Sequence, residues 1–124
     1  MSRQRIDLGR AGEEAAAAYL TAQGYRIIDR NFRCKTGEID IIAGDRETYV
    51  FIEVKTRQSS RFGAPAEAVT RQKQKQISRT ALAFLSRHNL ADAPARFDVI
   101  SVLSDGSEMK ISHIVSAFED ATNT

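Results

Sequence analysis

The hydrophobic and polar positions of this chain alternate between a helical period and a strand period, which predicts an α/β domain. Residues 9–24 form an alanine-rich helical pattern that ends at Gly24, a residue well suited to stop a helix. A second helical pattern runs from about Pro65 to His88. Five runs have the composition and alternation of β-strands: 25–33, 37–43, 48–55, 95–103 and 110–115.

The resulting order αβββαββ predicts two helices packed on a mixed central sheet. Residues 44–47 and 104–107 are predicted turns, and residues 56–65 are predicted to form a polar loop. The polar tail from Ala117 is expected to fray. The length of 124 residues is typical of one domain, 1–124, for which we expect an ordered core at about 8–118.

Composition indicates the cellular compartment expected for this domain. The sequence has no apolar run near the roughly 18 residues of a membrane helix, and its start lacks the apolar segment of a secretory signal. Cys34 is the only cysteine, which excludes an internal disulfide and argues against a cysteine-based zinc site. We therefore expect a cytoplasmic protein without membrane contact.

The third predicted strand carries the most informative residues. Its aromatic and β-branched run ends in Glu53-Val54-Lys55, where the acid and the lysine point to one face. If an even-length turn joins it to the preceding strand, cross-strand index sums are odd and Asp40 shares that face. A sum of 93 places Asp40 opposite Glu53, and a sum of 91 places Glu38 there. An odd turn would separate the two acids.

Two close carboxylates repel each other, so their proximity requires a cation, a proton or a basic neighbour. Oxygen ligands without soft ones favour Mg²⁺ or Mn²⁺ over Zn²⁺. Such an ion orients a phosphodiester and activates water, and Lys55 is placed to assist by positioning the water or offsetting transition-state charge. The alternative is a structural ladder of surface salt bridges.

Each predicted helix adds a candidate residue. Glu13 lies on the same stripe of the first helix as Ala16, Ala17 and Leu20 and should point toward the sheet, although a first-turn acid also suits the helix dipole. Lys73 is predicted on the apolar face of the second helix, where it either reaches the acids or a phosphate, or extends to solvent. The other positions of that inward stripe are Val69, Ile77, Ala81, Phe84 and Leu85.

Basic residues are concentrated in one segment of the chain. Residues 54–88 contain eight lysines and arginines against one acid, a net charge of +7, whereas the whole chain carries only +2. Such a segment either binds phosphates or is a solvated surface. The candidate nucleic-acid contacts are Arg57, Arg71, Lys73 and Lys75.

With these residues in place, the chain resembles the PD-(D/E)xK nuclease superfamily. It is still more similar to the uncharacterised YraN-like proteins of bacteria, which share a Holliday-junction-resolvase-like core. Ile39 stands where the superfamily's name has a proline. The resemblance covers nearly the whole chain and rests on five segments: Gly9-x-x-Gly12-Glu13, Gly37-Glu38-Ile39-Asp40, Phe51-Ile52-Glu53-Val54-Lys55-Thr56-Arg57, Ala68-Val69-Thr70-x-x-Lys73 and Arg96-Phe97-Asp98-Val99.

The resemblance implies a restriction-endonuclease-like core and a Mg²⁺- or Mn²⁺-dependent endonuclease that acts on branched or single-stranded DNA. It implies that Asp40 and Glu53 hold the metal, that Lys55 is catalytic and that Glu13 is a helix-borne acid. Lys73 falls where related nucleases have a polar or basic helix residue near the scissile phosphate. A homodimer is a further hypothesis, since resolvase-like enzymes pair to cut two strands.

Two other functions remain open. One is a nucleic-acid-binding module whose acidic site is vestigial or regulatory; the other is a protein-interaction domain with a purely architectural charge cluster. We assign no function to His88, His113 or Cys34, because neither histidine has a partner at ligand spacing. Arg96 and Asp98 share a strand face and are predicted to form a structural pair.

Overall fold

A computed structural model describes residues 3–58, 69–105 and 107–122, with side chains from Asp7 onward. The described residues form two helices and five strands, which confirms the α/β prediction. None of the described helices is both long and apolar enough to cross a membrane. The elements are α1 (Arg3–Ala22), β1 (Arg26–Cys34), β2 (Gly37–Asp45), β3 (Thr48–Gln58), α2 (Arg71–Arg87), β4 (Ala95–Ser104) and β5 (Met109–Phe118).

The five strands form one mixed sheet in the order β1-β2-β3-β4-β5. Neighbouring strands are antiparallel except β3 and β4, which are parallel. A parallel pair needs a long crossover, and α2 provides it. The predicted mixed sheet with helical layers is therefore present.

The two helices pack on opposite faces of the sheet because side chains alternate along each strand. Val50 and Ile52 of β3 face α1, where they pack with Ala16 and Leu20 in one fully buried cluster. Phe51 faces the other way, into a cluster with α2. The predicted inward stripe of α2 is confirmed: Ile77, Ala81, Phe84 and Leu85 are buried there.

The boundaries of both helices differ from the prediction. The first helix starts at Arg3, ahead of Gly9, and it ends before Gly24, whose φ of +95° suits a helix stop. The second helix starts at Arg71, because the Thr70 side chain caps it by accepting a hydrogen bond from the Lys73 backbone N–H at 3.1 Å. Val69 precedes this helix but is still buried in the α2 cluster.

The prediction of a loop at 56–65 is wrong for its first three residues. Thr56, Arg57 and Gln58 continue β3, because their backbones pair with β4 as far as Gln58↔Ser104. Backbone pairing does not depend on apolar side chains, so polar composition misled the prediction. The rest of the predicted loop, and the predicted helix start at Pro65, lie outside the described residues.

The C-terminal segment is better ordered than its polarity predicts. Strand β5 runs to Phe118, whose ring stacks on Phe97 with centroids 5.1 Å apart. Ala121 is buried, and its backbone N–H donates to the Ser78 hydroxyl at 3.0 Å. The expected fraying from Ala117 is therefore wrong for the described residues up to 122.

Candidate metal and nucleic-acid site

The turn between β2 and β3 sets the register of the candidate acids. Asp45 pairs with Thr48, so the turn has two residues, Arg46 and Glu47, and cross-strand index sums equal 93. Arg46 has a φ of +57°, as the first residue of a tight hairpin turn requires. The predicted even-length turn is confirmed, in the register that brings Asp40 opposite Glu53.

Strands β2 and β3 separate at these two acids. The backbone pairing between β2 and β3 ends at Ile41↔Ile52. Beyond that pair, β2 continues to pair with β1, and β3 continues to pair with β4. The Val54 backbone N–H donates to Asp40 Oδ2 at 2.8 Å, so a carboxylate oxygen replaces a ladder acceptor. Asp40 and Glu53 therefore lie where the sheet forks.

The carboxyl of Asp40 has the most perturbed ionisation in this region. Burial and, second, the Glu53 carboxylate raise its pKa to about 7, against the hydrogen bond from Val54. The charges of Glu13 and Glu38 act in the same direction as Glu53. Acids of α1, β2 and β3 thus all raise the pKa of Asp40.

Glu53 combines an acidic and a basic environment. Burial raises the pKa of its carboxyl, whereas the ammonium groups of Lys73 and Lys55 lower it. The neighbouring Asp40 side chain also lowers this pKa. No ion pair in the described part of the chain joins Glu53 directly to either lysine. The two lysines therefore act on Glu53 without a direct ion pair.

Glu13 reaches this region because its helix lies unusually close to β3. A Cβ atom added at Gly12 would lie within 2.8 Å of three Thr56 side-chain atoms, so only glycine fits. Gly12 is buried and Glu13 is partly exposed. Its charge raises the pKa of Asp40, in accord with the predicted direction of Glu13 toward the sheet.

The start of β2 contacts α2, which packs on the face of the sheet opposite to α1. Thr36, in the β1–β2 turn, forms a hydrogen bond to the Thr80 hydroxyl at 2.9 Å. A Cβ at Gly37 would lie 2.7 Å from Gln76 Cγ, so the turn is in close contact with α2. Lys73 is three residues before Gln76 and hence on a neighbouring part of the helix surface. This contact fixes β2 relative to Lys73.

The donor chemistry of the fork suits a hard divalent cation. Asp40 and Glu53 offer oxygen ligands and carry a repulsion that a cation would relieve. Mg²⁺ is commonly bound through one or two carboxylates with several waters retained. A group of three or more His, Cys, Asp or Glu residues able to hold a metal is absent from the described ranges, so the candidate set is these two carboxylates.

The four candidate nucleic-acid contacts have different positions. Lys73 faces the acids, whereas Lys75 is two residues further along and so about 200° around the helix. Arg71 is exposed at the start of α2, and Arg57 is partly exposed on β3, on the same face as Lys55. Of the four, Lys73 is the one whose charge lowers the pKa of Glu53.

A second polar cluster, around Arg96, extends the predicted pair. Arg96 Nε donates to Asp98 Oδ1 at 3.1 Å, which confirms the structural pair. Its other nitrogens donate to Asp45 Oδ2 at 2.9 Å and to the Tyr25 hydroxyl at 2.6 Å. The predicted pair is therefore part of a larger network that joins β4 to the end of β2.

Sequence reasoning missed the contribution of His113 to this network. Asp98 is fully buried, 2.7 Å from His113 Nε2, and accepts the Ser116 backbone N–H at 3.0 Å. The Tyr19 hydroxyl lies 3.2 Å from His113 Nδ1. Burial raises the pKa of Asp98, but hydrogen bonds from His113 and Arg96 outweigh it and hold the pKa low. The signal for the contact between His113 and Asp98 lay in the β4–β5 turn. This turn sets a hairpin register in which His113 lies opposite Ile100, two residues from Asp98 on β4.

The chain matches the profile of one protein family over most of its length. The uncharacterised protein family UPF0102 matches residues 12–102, a span from Gly12 through β4. The chain belongs to UPF0102. The family-level resemblance to the YraN-like proteins is thereby confirmed.

Curated UPF0102 relatives are similar over nearly the whole chain. A UPF0102 protein of Pelobacter propionicus is 56% identical over 115 residues, covering 90% of this chain and 81% of the relative. A UPF0102 protein of Geobacter metallireducens is 51% identical over 119 residues, covering 96% and 98%. These UPF0102 relatives are therefore of similar extent to this chain.

Proposed function

We propose that this protein is a metal-dependent endonuclease with a restriction-endonuclease-like core that hydrolyses phosphodiester bonds in DNA. The observation that carries the proposal is the convergence of Asp40 and Glu53 at the fork between β2 and β3. Partly buried acids that perturb each other next to lysines are typical of catalytic sites. The resemblance to PD-(D/E)xK nucleases supports the same conclusion.

Asp40 and Glu53 are the proposed ligands of Mg²⁺ or Mn²⁺. When bound, such an ion supplies Lewis-acid polarisation of the phosphodiester and favours deprotonation of the attacking water. The hydrogen bond from Val54 fixes Asp40 Oδ2, so the carboxylate is oriented before a cation arrives. Preorganisation of this kind limits the reorganisation needed at the moment of reaction.

The neighbouring residues have separate proposed roles. The ammonium of Lys55 donates to a phosphate oxygen and offsets the charge that develops in the transition state. Lys73 binds the same or an adjacent phosphate from the start of α2. Glu13 adds a third acid that accepts a hydrogen bond from water. Arg57, Arg71 and Lys75 are proposed contacts to the flanking backbone.

The proposed substrate is branched or single-stranded DNA. In these forms of DNA, the phosphodiester backbone departs from the regular duplex, so it can enter the fork between β2 and β3. A homodimer would present two sites to two strands, and we propose it only for branched substrates. Size-exclusion chromatography with light scattering, with and without a four-way junction, tests the dimer.

The activity is tested with purified protein, Mg²⁺ or Mn²⁺, and labelled single-stranded, duplex and four-way-junction DNA. The expected result is cutting by the wild type that stops with a chelator and falls at least about 10³-fold in Asp40→Ala and Glu53→Ala. Asp92→Ala, at an exposed position after α2, is the matched control and should cut normally. Equal cutting by all variants would reveal a contaminating nuclease.

A second candidate function is metal-independent nucleic-acid binding with a vestigial acidic site. The raised pKa of Asp40 favours it, because a proton shared with Glu53 relieves their repulsion without a cation. This candidate predicts binding that weakens with salt and is unaffected by a chelator. Unchanged DNA affinity in an Arg71→Ala/Lys73→Ala double variant would contradict it.

A further inference from the structure

The sheet face that carries Glu53 continues across β4 to the edge strand β5. Side chains opposite each other on neighbouring strands share a face, so the registers define three rows running from β3 to β5. The rows are Glu53–Val99–Ile114, Lys55–Ser101–Ser112 and Arg57–Leu103–Lys110.

Packing on both sides of the sheet establishes that these rows share one face. The row before them, Phe51 and Phe97, lies in the cluster with α2, with ring centroids 5.8 Å apart. The intervening residues Ile100, Val102 and Ile111 pack on the opposite face with α1. The three rows therefore follow directly from the buried end of the α2 face.

Among the described residues, this face is exposed at β5 and buried on β4 at Val99 and Ser101. Helix α2 packs mainly on β2 and β1, and its hydrophobic cluster reaches β5 at Ala117 and Phe118. Lys110 and Ser112 are exposed, and Ile114 is 46% exposed. Along the strands, the side chains of this face change from aromatic rings to Glu53, then to small hydroxyl residues and finally to basic residues.

The charge of the rows fits an anionic ligand. Their nine positions contain three bases, Lys55, Arg57 and Lys110, and one acid, Glu53, which belongs to the proposed metal site. Ser112 is small and exposed and offers a hydroxyl donor beside Lys110, whereas Ser101 is buried. Strands are about 4.8 Å apart, so β3 and β5 are about 10 Å apart, a distance that a short stretch of nucleic-acid backbone covers.

We infer that the phosphodiester backbone of a bound nucleic acid runs from the fork along Lys55 and Arg57 to the β5 edge, with Lys110 as a phosphate contact. Ser112 donates a second hydrogen bond to the same backbone. The inference rests on the proposed function only in assigning the acidic end of this track to the scissile phosphate. Backbone contact itself requires no cleavage.

The chain offers a matched pair of variants for testing the track. Lys110→Gln removes one positive charge from this face. Met109→Glu changes the net charge equally on the same strand, but Met109 pairs with Ser104 and points to the opposite face. Met109 is 36% exposed, so a charged side chain is tolerated there.

Binding is measured by fluorescence anisotropy in a chelator, with labelled single-stranded and duplex DNA of one sequence, over a series of salt concentrations. Lys110→Gln should raise Kd about fivefold and flatten the slope of log K against log salt by roughly 0.7 to 0.9. Met109→Glu should leave the slope unchanged. The DNA form with the larger loss is the one that runs along the face.

The inference is overturned if the wild type binds neither DNA form, if both variants behave alike, or if Lys110→Gln binds as the wild type does. A chain that cuts DNA with Mn²⁺ while Lys110→Gln binds normally overturns the track but not the nuclease. Conversely, a face-specific loss of binding in a chain that cuts nothing supports the track and overturns the nuclease.

Discussion

Gly12 of α1 and Thr56 of β3 are in such close contact that no side chain fits at position 12. A Cβ atom there would lie within 2.8 Å of three Thr56 side-chain atoms. Thr56 directly follows Lys55, and Glu13 directly follows Gly12. The contact therefore sets the distance between the acid of the helix and the charged end of the strand.

Replacing Gly12 by alanine should destabilise the protein, although alanine is normally favoured in a helix by about 1 kcal/mol. The added Cβ forces α1 away from β3, and overpacking of this kind costs about 1–3 kcal/mol. Urea unfolding measures the loss. Gly9→Ala is the matched control: a Cβ there meets nothing within 4 Å, so this variant should gain about 0.5–1 kcal/mol.

A double-mutant cycle separates the clash from any other effect of the alanine. Thr56→Ala removes two of the three crowding atoms, so Gly12→Ala combined with Thr56→Ala should be less destabilised than the sum of the single variants. If Gly12→Ala stabilises the protein as Gly9→Ala does, the close contact is wrong, and so is the proposed position of Glu13.

The geometry of the candidate acids was predictable because it depends on local structure. A hairpin with a two-residue turn fixes its register, and the register alone decides whether Asp40 and Glu53 share a face. The inward stripe of α2 was predictable for the same reason, since helical periodicity is local. The fork itself was not predictable, because it depends on β2 and β3 having different partners beyond Ile41↔Ile52.

The polar network around Asp98 shows where sequence reasoning reached its limit. Arg96 and Asp98 are two residues apart on one strand, so their pairing was readable from alternation. Tyr19 and His113 are 94 residues apart, and their contact exists only because α1 and β5 meet over β4. Without the fold, the sequence pattern does not predict a contact between residues so far apart in the chain.

The same network predicts unequal costs for two aspartates bound to one arginine. Asp98→Ala should cost about 3–5 kcal/mol of the free energy of unfolding, because it leaves Arg96 and His113 partly buried without their acceptor. Asp45→Ala should cost at most about 1 kcal/mol, since the Asp45 side chain is 40% exposed. Chemical denaturation at pH 7 measures both. Similar costs would mean that Asp98 is not the centre of the network.

Two neighbouring lysines should differ in their effect on the candidate site. Lys73→Gln removes a charge that lowers the pKa of Glu53, so that pKa should rise in the variant. Lys75→Gln should not change it, because Lys75 lies on another side of α2. Carbon-detected NMR titration of the glutamate carboxyls in the metal-free protein measures both effects. Equal shifts in the two variants would contradict the orientation of Lys73.

If the nuclease proposal holds, the same pair of variants should separate chemistry from binding. Lys73→Gln should lower kcat by roughly 10- to 100-fold, because it removes an ammonium aimed at the scissile phosphate. Lys75→Gln should change mainly the affinity for DNA. Single-turnover cleavage at saturating DNA distinguishes the two, and a larger loss of rate in Lys75→Gln would contradict the assignment.

The raised pKa of Asp40 predicts a specific dependence of stability on pH in the metal-free protein. A carboxyl with a pKa near 4 when unfolded and about 7 when folded binds more protons in the folded state between these values. Its favourable contribution is therefore complete below about pH 4 and is lost as pH rises through 7. Above pH 7, two ionised carboxylates repel each other at the fork.

Asp40→Asn removes this penalty while retaining an oxygen that accepts the Val54 N–H. The variant should match the wild type at pH 4 and exceed it by about 2 kcal/mol at pH 8, after allowing for partial solvent screening. Urea unfolding across this pH range measures the difference, with Asp92→Asn as the exposed control. Adding Mg²⁺ at pH 8 should stabilise the wild type and not Asp40→Asn, because only the wild type keeps both carboxylates. Parallel stability curves for the two proteins would mean that Asp40 is not strained by Glu53, and the reason to expect a cation at the fork would disappear.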